Sequence, residues 1–144
     1  MPGTPHLCLN VVDVRDVAEA IVRAMEKPEA TGQRIVVSQS GVWMKDLAQA
    51  ARPVFEPLGY KPPRNNLPTP LLKIVGLVVP SVGSFSGSLG RFYDFDTSKA
   101  KTVLGMEFRR YQESFVDMCH SVIKHGILDK TAKYKAWEEA QASD

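Results

Sequence analysis

The sequence predicts an α/β fold that is mostly helical, with a few short strands. Apolar side chains alternate over residues 7–12, as they do in a half-buried strand, and recur at helical spacing over residues 14–25. A β-branched run, Ile35 to Val37, follows a loop that contains Gly32. Together these segments have the strand–helix–strand order that is typical of an α/β protein.

The first helix is predicted from its start signal and from its periodicity. Asp13 stands at the N-cap position and Asp16 lies in the first turn, where both carboxylates suit the partly positive helix N-terminus. Pro28 ends the helix. One face carries apolar side chains at helical spacing: Val14, Val17, Ala18, Ile21 and Met25. Charged residues occupy the other face, so the pattern indicates an amphipathic helix.

A second strand and a second helix are predicted next. The continuous run Ile35 to Val37 favours a strand that is covered on both faces, as in a parallel sheet. Residues 38–41 are predicted to form a turn. A second helical face then ends or kinks at Pro53 and carries Trp43, Leu47, Ala48 and Ala51.

The middle of the chain resists long regular elements, because seven prolines fall within residues 53–80. Leu71 to Val79 is predicted as a short buried helix between two of these prolines. Residues 81–90, rich in glycine and serine, are predicted to form a flexible loop.

Two more helices are predicted in the C-terminal third. Asp96 or Thr97 caps a short helix, and Gly105 follows it at the C′ position. Its apolar residues are Ala100, Val103 and Leu104, whereas the last core-facing helix carries Phe115, Met118, Val122 and Ile123 and ends at Gly126. We therefore expect one domain over residues 1–128, followed by a polar helical tail, residues 129–144, that is loosely docked or frayed.

Composition narrows the class of protein. The chain has 144 residues, 44% hydrophobic and 24% charged, which is typical of one globular domain. A net charge of +2 gives no reason to expect a nucleic-acid or membrane partner. Two cysteines without paired spacing are expected to be free thiols. The longest apolar run, nine residues, is far shorter than the about 20 that span a bilayer, so a cytoplasmic protein is expected.

Few residues have the spacing of a known reaction centre. Gly83, Gly87 and Gly90 are spaced like a dinucleotide fingerprint, but no strand leads directly into them and no clear helix follows. A mobile loop near a pocket is the favoured interpretation. The three histidines do not have metal-ligand spacing, and no G-x-S-x-G nucleophile motif occurs.

Two charged groups have open alternatives. Asp13, Arg15 and Asp16 can form the polar wall of a ligand site, although capping with a local ion pair is the simpler interpretation. Arg91 stands before the aromatic residues of a loop and can hold an anionic ligand, although a surface arginine is the simpler interpretation.

A family resemblance adds to this interpretation. Three segments carry it in order: Val12 to Ala18 (VDVRDVA), Ala30 to Ser38 (ATGQRIVVS), and Asp96 to Ala100 (DTSKA) with Leu104-Gly105 and the final helix from Ser114 to Gly126. Over about residues 1–128 they resemble the C-terminal part of extended short-chain dehydrogenases/reductases. This group lies within the NAD-dependent epimerase/dehydratase superfamily and includes dihydroflavonol, cinnamoyl-CoA and ketone reductases.

The resemblance implies an NAD(P)-dependent oxidoreductase with a Rossmann-type fold, of which this chain is the C-terminal portion. Such enzymes bind NADP or NAD through an N-terminal glycine loop and use a tyrosine with a lysine four residues later. Neither feature is found in this sequence, so no catalytic or cofactor-binding residue is assigned and the chain alone is expected to bind neither cofactor. Asn10, Val11, Arg91 and Tyr93 are expected to line the substrate site.

Two functions follow as hypotheses. In the first, the chain contributes the substrate-binding region of a reductase for a small carbonyl substrate, needs the missing N-terminal half, and is inactive alone. In the second, it is a non-catalytic interaction module that forms a homo-oligomer through the exposed edge of the strand at Ile35 to Val37.

Overall fold

The computed structural model describes residues 3–68, 70, 72, 74, 83, 84 and 86–142. Its strands and helices are β1 (Cys8–Val11), α1 (Val14–Glu26), β2 (Ser40–Trp43), α2 (Met44–Phe55), α3 (Ser98–Thr102), α4 (Tyr111–Lys124) and α5 (Ala132–Ala142). Single 3₁₀ turns span Pro28–Ala30 and Ser86–Ser88. The predicted α/β class, mostly helical with short strands, is confirmed. The helix predicted over Leu71 to Val79 lies outside the fully described residues.

The two strands pair antiparallel, with Leu9 opposite Val42 and Asn10 opposite Gly41. The turn predicted over residues 38–41 is therefore wrong, because Ser40 and Gly41 already belong to β2. Gly41 fits there for a steric reason. A Cβ atom at this position would lie 2.0 Å from the carbonyl oxygen of Tyr93, which crosses the sheet at this point. Trp43 is likewise a strand residue, and α2 begins immediately after it.

The strand predicted at Ile35 to Val37 does not form. The described residues 33–38 have no regular secondary structure, and none of the described residues offers this segment a neighbouring strand. A strand needs such a neighbour for its backbone hydrogen bonds. The side chains of Ile35 and Val37 nevertheless pack against a core cluster. The β-branched run is thus used for packing without sheet pairing.

Helix α1 has three faces that succeed one another around its axis. The inner face carries Asp16 and Ala20, which are buried. Its core cluster joins α1 to α3 and contains Ala20, Ala30, Ala100, Leu104 and Met106. The apolar face predicted from periodicity lies beside this inner face, and most of it is exposed. Its residues Val14, Ile21 and Met25 expose 78%, 57% and 76% of their surface.

A second cluster joins α2, α4 and α5. Its buried members are Ala51, Phe55, Leu58, Ile123 and Tyr134. Helix α5 belongs to the polar tail that was expected to be loose, but its Tyr134 is only 3% exposed. The tail forms the predicted helix and is docked over its described part, because the Tyr134 side chain packs in one cluster with residues of α2 and α4.

The remaining helix signals are largely in place. Pro53 lies inside α2, which continues to Phe55. Of the two predicted caps of α3, Thr97 is the N-cap residue but its side chain makes no capping bond, whereas Asp96, one residue earlier, accepts a hydrogen bond from the Ser98 amide at 2.9 Å. Met118, predicted to face the core, is half exposed. Among the described residues, no helix is both long and apolar enough to cross a bilayer.

Candidate ligand cavity

A cavity of about 570 Å³ lies where the end of β1 and the start of α1 meet α4. This size falls within the usual range of small-molecule sites. The cavity is lined by Asn10, Val11, Val12, Asp13, Val14, Arg15, Gln39, Leu47, Arg109, Tyr111, Ser114, Phe115, Asp117, Met118 and Ser121. It combines one strand end, one helix start and one face of a second helix.

Most of the cavity wall is apolar. Val11 and Val12 come from the strand end, Leu47 from α2, and Phe115 and Met118 from α4. These side chains meet because the β1 and α1 segments are consecutive, while α2 and α4 pack against each other. An apolar wall of this kind favours an uncharged ligand, since burial of apolar surface supplies the attraction.

Asn10 is the polar side chain at the strand end. Its Oδ1 atom is buried and has no hydrogen-bond partner among the described residues. A buried carbonyl oxygen without a donor costs about 1–3 kcal/mol. Because Asn10 lines the cavity, a donor group on a bound ligand would satisfy this oxygen.

The polar rim of the cavity is a network centred on Asp13. This carboxylate caps α1 by accepting the Arg15 amide at 2.8 Å, and it also accepts the Arg15 guanidinium and the Ser114 hydroxyl, at 2.6 and 2.7 Å. The same guanidinium reaches Asp117 at 2.7 Å. These donors, above all Arg15, hold the pKa of Asp13 well below its usual range. Asp13 therefore stays ionised, and α1 is tied to α4.

Asp16 lies in the first turn of α1, as its sequence position indicates, but its carboxylate faces inward. It accepts a hydrogen bond from the Arg109 amide at 2.8 Å and another from the Arg109 guanidinium. Arg109 belongs to the segment that leads into α4. This pair therefore fixes the start of α4 beside the cavity, a role that residue spacing alone did not reveal.

The four residues expected at the substrate site divide into two groups. Asn10 and Val11 line the cavity, whereas Arg91 and Tyr93 do not. Arg91 is exposed, and the carbonyl oxygen of Tyr93 accepts the Cys8 thiol at 3.4 Å on the sheet. The contribution of α4 to the cavity wall was not predicted from the sequence. Its lining residues recur at helical spacing from Tyr111 to Ser121, but the same spacing also marks a core-facing helix.

The described residues do not fit a dinucleotide. Gly87 lies in a single 3₁₀ turn, and no helix follows Gly90 before α3. Among the residues that the structure describes, the two strands form one antiparallel pair and no parallel sheet is present. A dinucleotide site needs a helix N-terminus to receive the pyrophosphate. Tyr111 is the tyrosine on the cavity wall, and the residue four places later is Phe115 instead of a lysine.

Comparison with known proteins gives partial matches. No protein-family model matches the chain. The NADPH-dependent methylglyoxal reductase GRE2 of Saccharomyces cerevisiae is 32% identical over 120 residues, which cover 83% of this chain and 31% of the yeast protein. The ketoreductase azaE of Aspergillus niger is 32% identical over 113 residues, covering 78% of this chain and 28% of that protein. The chain thus spans about a third of the length of these curated relatives.

A solved structure agrees with these matches. The crystal structure of gox2253 superposes with a TM-score of 0.66 and 26% identity, covering 90% of this chain and 41% of the other. The resemblance expected from the VDVRDVA segment is confirmed, and the chain is a homologue of one part of the short-chain dehydrogenases/reductases.

Proposed function

We propose that this chain is the substrate-binding part of an NADPH-dependent carbonyl reductase. The observation that carries the proposal is the apolar cavity built around residues 10–15, because the VDVRDVA segment that resembles the reductases overlaps it. Two relatives named as reductases, one of them NADPH-dependent, support the reaction class.

The cavity suits a small uncharged carbonyl compound. Its volume of about 570 Å³ exceeds what a few-carbon ketone needs, and its wall is mostly apolar. Hydroxyl groups are available at Tyr111 and Ser121 to donate to a carbonyl oxygen. The two arginines of the cavity are both paired with carboxylates, Arg15 with Asp13 and Arg109 with Asp16. This pairing disfavours an anionic ligand.

A second part must bring NADPH and the proton donor. The described residues hold neither a dinucleotide cradle nor a tyrosine followed four residues later by a lysine. We therefore expect the chain by itself to bind a carbonyl ligand without reducing it. Reduction requires that the other part place the nicotinamide at the open side of the cavity.

A chimera tests this proposal. The chain replaces the matching segment of 120 residues in the yeast methylglyoxal reductase. We expect the chimera to consume NADPH with small ketones and aldehydes, with relative KM values that differ from those of the yeast parent, since the cavity wall has changed. The chain alone, mixed with NADPH and the same compounds, is the control and should show no consumption. A folded chimera that binds NADPH but reduces none of the compounds would overturn the proposal.

Self-association is a second candidate, favoured by the segment Ile35 to Val37. Its backbone has no strand neighbour among the described residues, so a second copy can supply one. Sedimentation equilibrium decides this point. A homo-oligomer that dissociates on Val36→Pro, which removes one backbone donor, supports the candidate, whereas a monomer at high micromolar concentration counts against it.

A further inference from the structure

We infer that the exposed apolar stripe of α1, formed by Val14, Ala18, Ile21 and Met25, is the surface on which the cofactor-binding part of the reductase docks. This inference rests on the proposed function and assigns the contact between its two parts. The four residues of this stripe are spaced three or four apart and lie on one face of the helix.

The stripe is distinct from the solvent face of the helix. Solvent faces carry charged side chains, and α1 has such a face elsewhere, with Arg15, Glu19 and Arg23 along it. Glu19 and Arg23 form an ion pair there, and Arg23 also donates to the carbonyl groups of Leu104 and Gly105. The stripe lies between this charged face and the buried face. Large apolar side chains that are exposed on successive turns of one helix indicate a contact surface.

The stripe is continuous with the cavity. Val14 is the first residue of the stripe and also lines the cavity, and Met118 of α4 lines the cavity while half of its surface is exposed. A protein segment that packs on Val14 and Met118 therefore also covers the open side of the cavity. The substrate site would then lie between the two parts, as ligand sites commonly lie between domains.

The part of the protein that packs on the stripe must supply the hydride donor of the reaction. A hydride donor must reach the ligand through the open side of the cavity, and the described residues of this chain do not fit a dinucleotide. A second copy of the chain would cover the stripe with the same residues and bring no cofactor. The relatives are about three times as long as the matched segment, so they contain enough further chain to form such a part. We therefore assign the stripe to an apolar surface of the cofactor-binding part.

Two substitutions on α1 test the assignment by thermal unfolding, each made in the chain alone and in the yeast chimera. Ile21→Glu places a charge on the stripe, and Glu26→Gln is the matched control at an exposed position outside it. In the chain alone both should shift the unfolding midpoint by no more than about 2 °C, since both sites are exposed. In the chimera Ile21→Glu should lower the midpoint by at least about 4 °C and raise the KM for the ketone, because a charge is buried.

The outcomes separate this inference from the proposed function. If Ile21→Glu leaves the midpoint of an active chimera unchanged, the stripe is not the docking surface, although the proposed function stands. If it instead dissociates a homodimer of the isolated chain, a second copy is the occupant and the inference is wrong. If the folded chimera shows no NADPH-dependent turnover with any ketone, both the proposed function and this inference fail.

Discussion

Asp16 has no exposed surface, and it connects two segments that are far apart in sequence. The Asp16→Asn variant keeps the shape of the side chain but removes the charge that two donors of Arg109 share. Hydrogen bonds to a charged group contribute about 1.5–3 kcal/mol, so we expect the free energy of unfolding to fall by about 2 kcal/mol. Urea titration measures this change.

The exposed ion pair of the same helix is the control. Glu19→Gln breaks a contact with Arg23 between side chains that are each more than a third exposed, and such pairs contribute less than about 1 kcal/mol. Equal losses in the two variants would mean that burial does not distinguish Asp16.

Gly41 is a second residue whose role is local and steric. In Gly41→Ala the added Cβ meets the carbonyl oxygen of Tyr93, a backbone atom that cannot rotate away, so the sheet or the crossing segment must shift. We expect a loss of about 1–3 kcal/mol, typical of overpacking, in a thermal or urea titration. Gly87→Ala is the matched control, because no atom lies within 4 Å of its added Cβ. A neutral Gly41→Ala would contradict the close approach.

At the scale of elements, helices were easier to predict from the sequence than strands. The cap at Asp13 and the spacing of Leu47, Ala48 and Ala51 depend on neighbours within a few residues, and the structure contains both helices. Strand pairing depends on distant segments. Ile35 to Val37 has strand composition but no partner, whereas β2 has turn-like residues and pairs because β1 lies beside it.

Amphipathic spacing also does not predict which part of the protein packs against an apolar helix face. The stripe of α1 has the residue spacing of a buried helix face. The residues of α3 and of the loop at 35–37 nevertheless pack against the neighbouring inner face, at Ala20 and Ala24. Spacing indicates that a face is suited to burial, and it does not identify the contacting surface. The polar tail was predicted to be loosely docked for a related reason. Its composition is polar overall, and composition does not show that a single side chain, Tyr134, is buried.

Helix α5 gives a prediction about alkaline pH. Tyr134 donates to or accepts from His120 across 3.0 Å, and burial, with the nearby Glu138, raises the pKa of its phenol. A group whose pKa is raised on folding stabilises the fold below its unfolded pKa of about 10, and this contribution is lost as pH rises through the folded value. We therefore expect α5 to undock above about pH 10. Fluorescence of Trp137, whose ring lies 5.1 Å from that of His120, follows the change.

Tyr134→Phe tests this origin. The variant loses about 1 kcal/mol at neutral pH with the missing hydrogen bond, but it has no phenol to ionise, so its alkaline loss of stability should be smaller than that of the wild type. Tyr93→Phe, at an exposed tyrosine, is the control and should keep the wild-type pH dependence. An alkaline transition that is identical in Tyr134→Phe would assign it to other groups.

At the scale of the whole molecule, only a small part of the cavity lining could be predicted from the sequence. The other lining residues are brought together by the tertiary fold. Asn10 and Val11, which the family resemblance predicts at the substrate site, both line the cavity. Tyr111, Ser114 and Asp117 could not be assigned, because their approach depends on how α4 packs against α2. The Asp16–Arg109 contact, which positions α4, joins residues 93 positions apart, and a single sequence contains no signal for such a pair.

The cavity itself can be tested through its rim. Met118 lines the cavity and is half exposed, so Met118→Trp can fill the open side without disturbing the core. In the yeast chimera we expect the KM for small ketones to rise roughly tenfold while the KM for NADPH stays the same, because ground-state binding of the ketone alone is lost. Ile127→Trp, beyond the end of α4 and away from the cavity lining, is the control. An unchanged ketone KM in Met118→Trp, with the midpoint of unfolding retained, would place the carbonyl ligand outside this cavity.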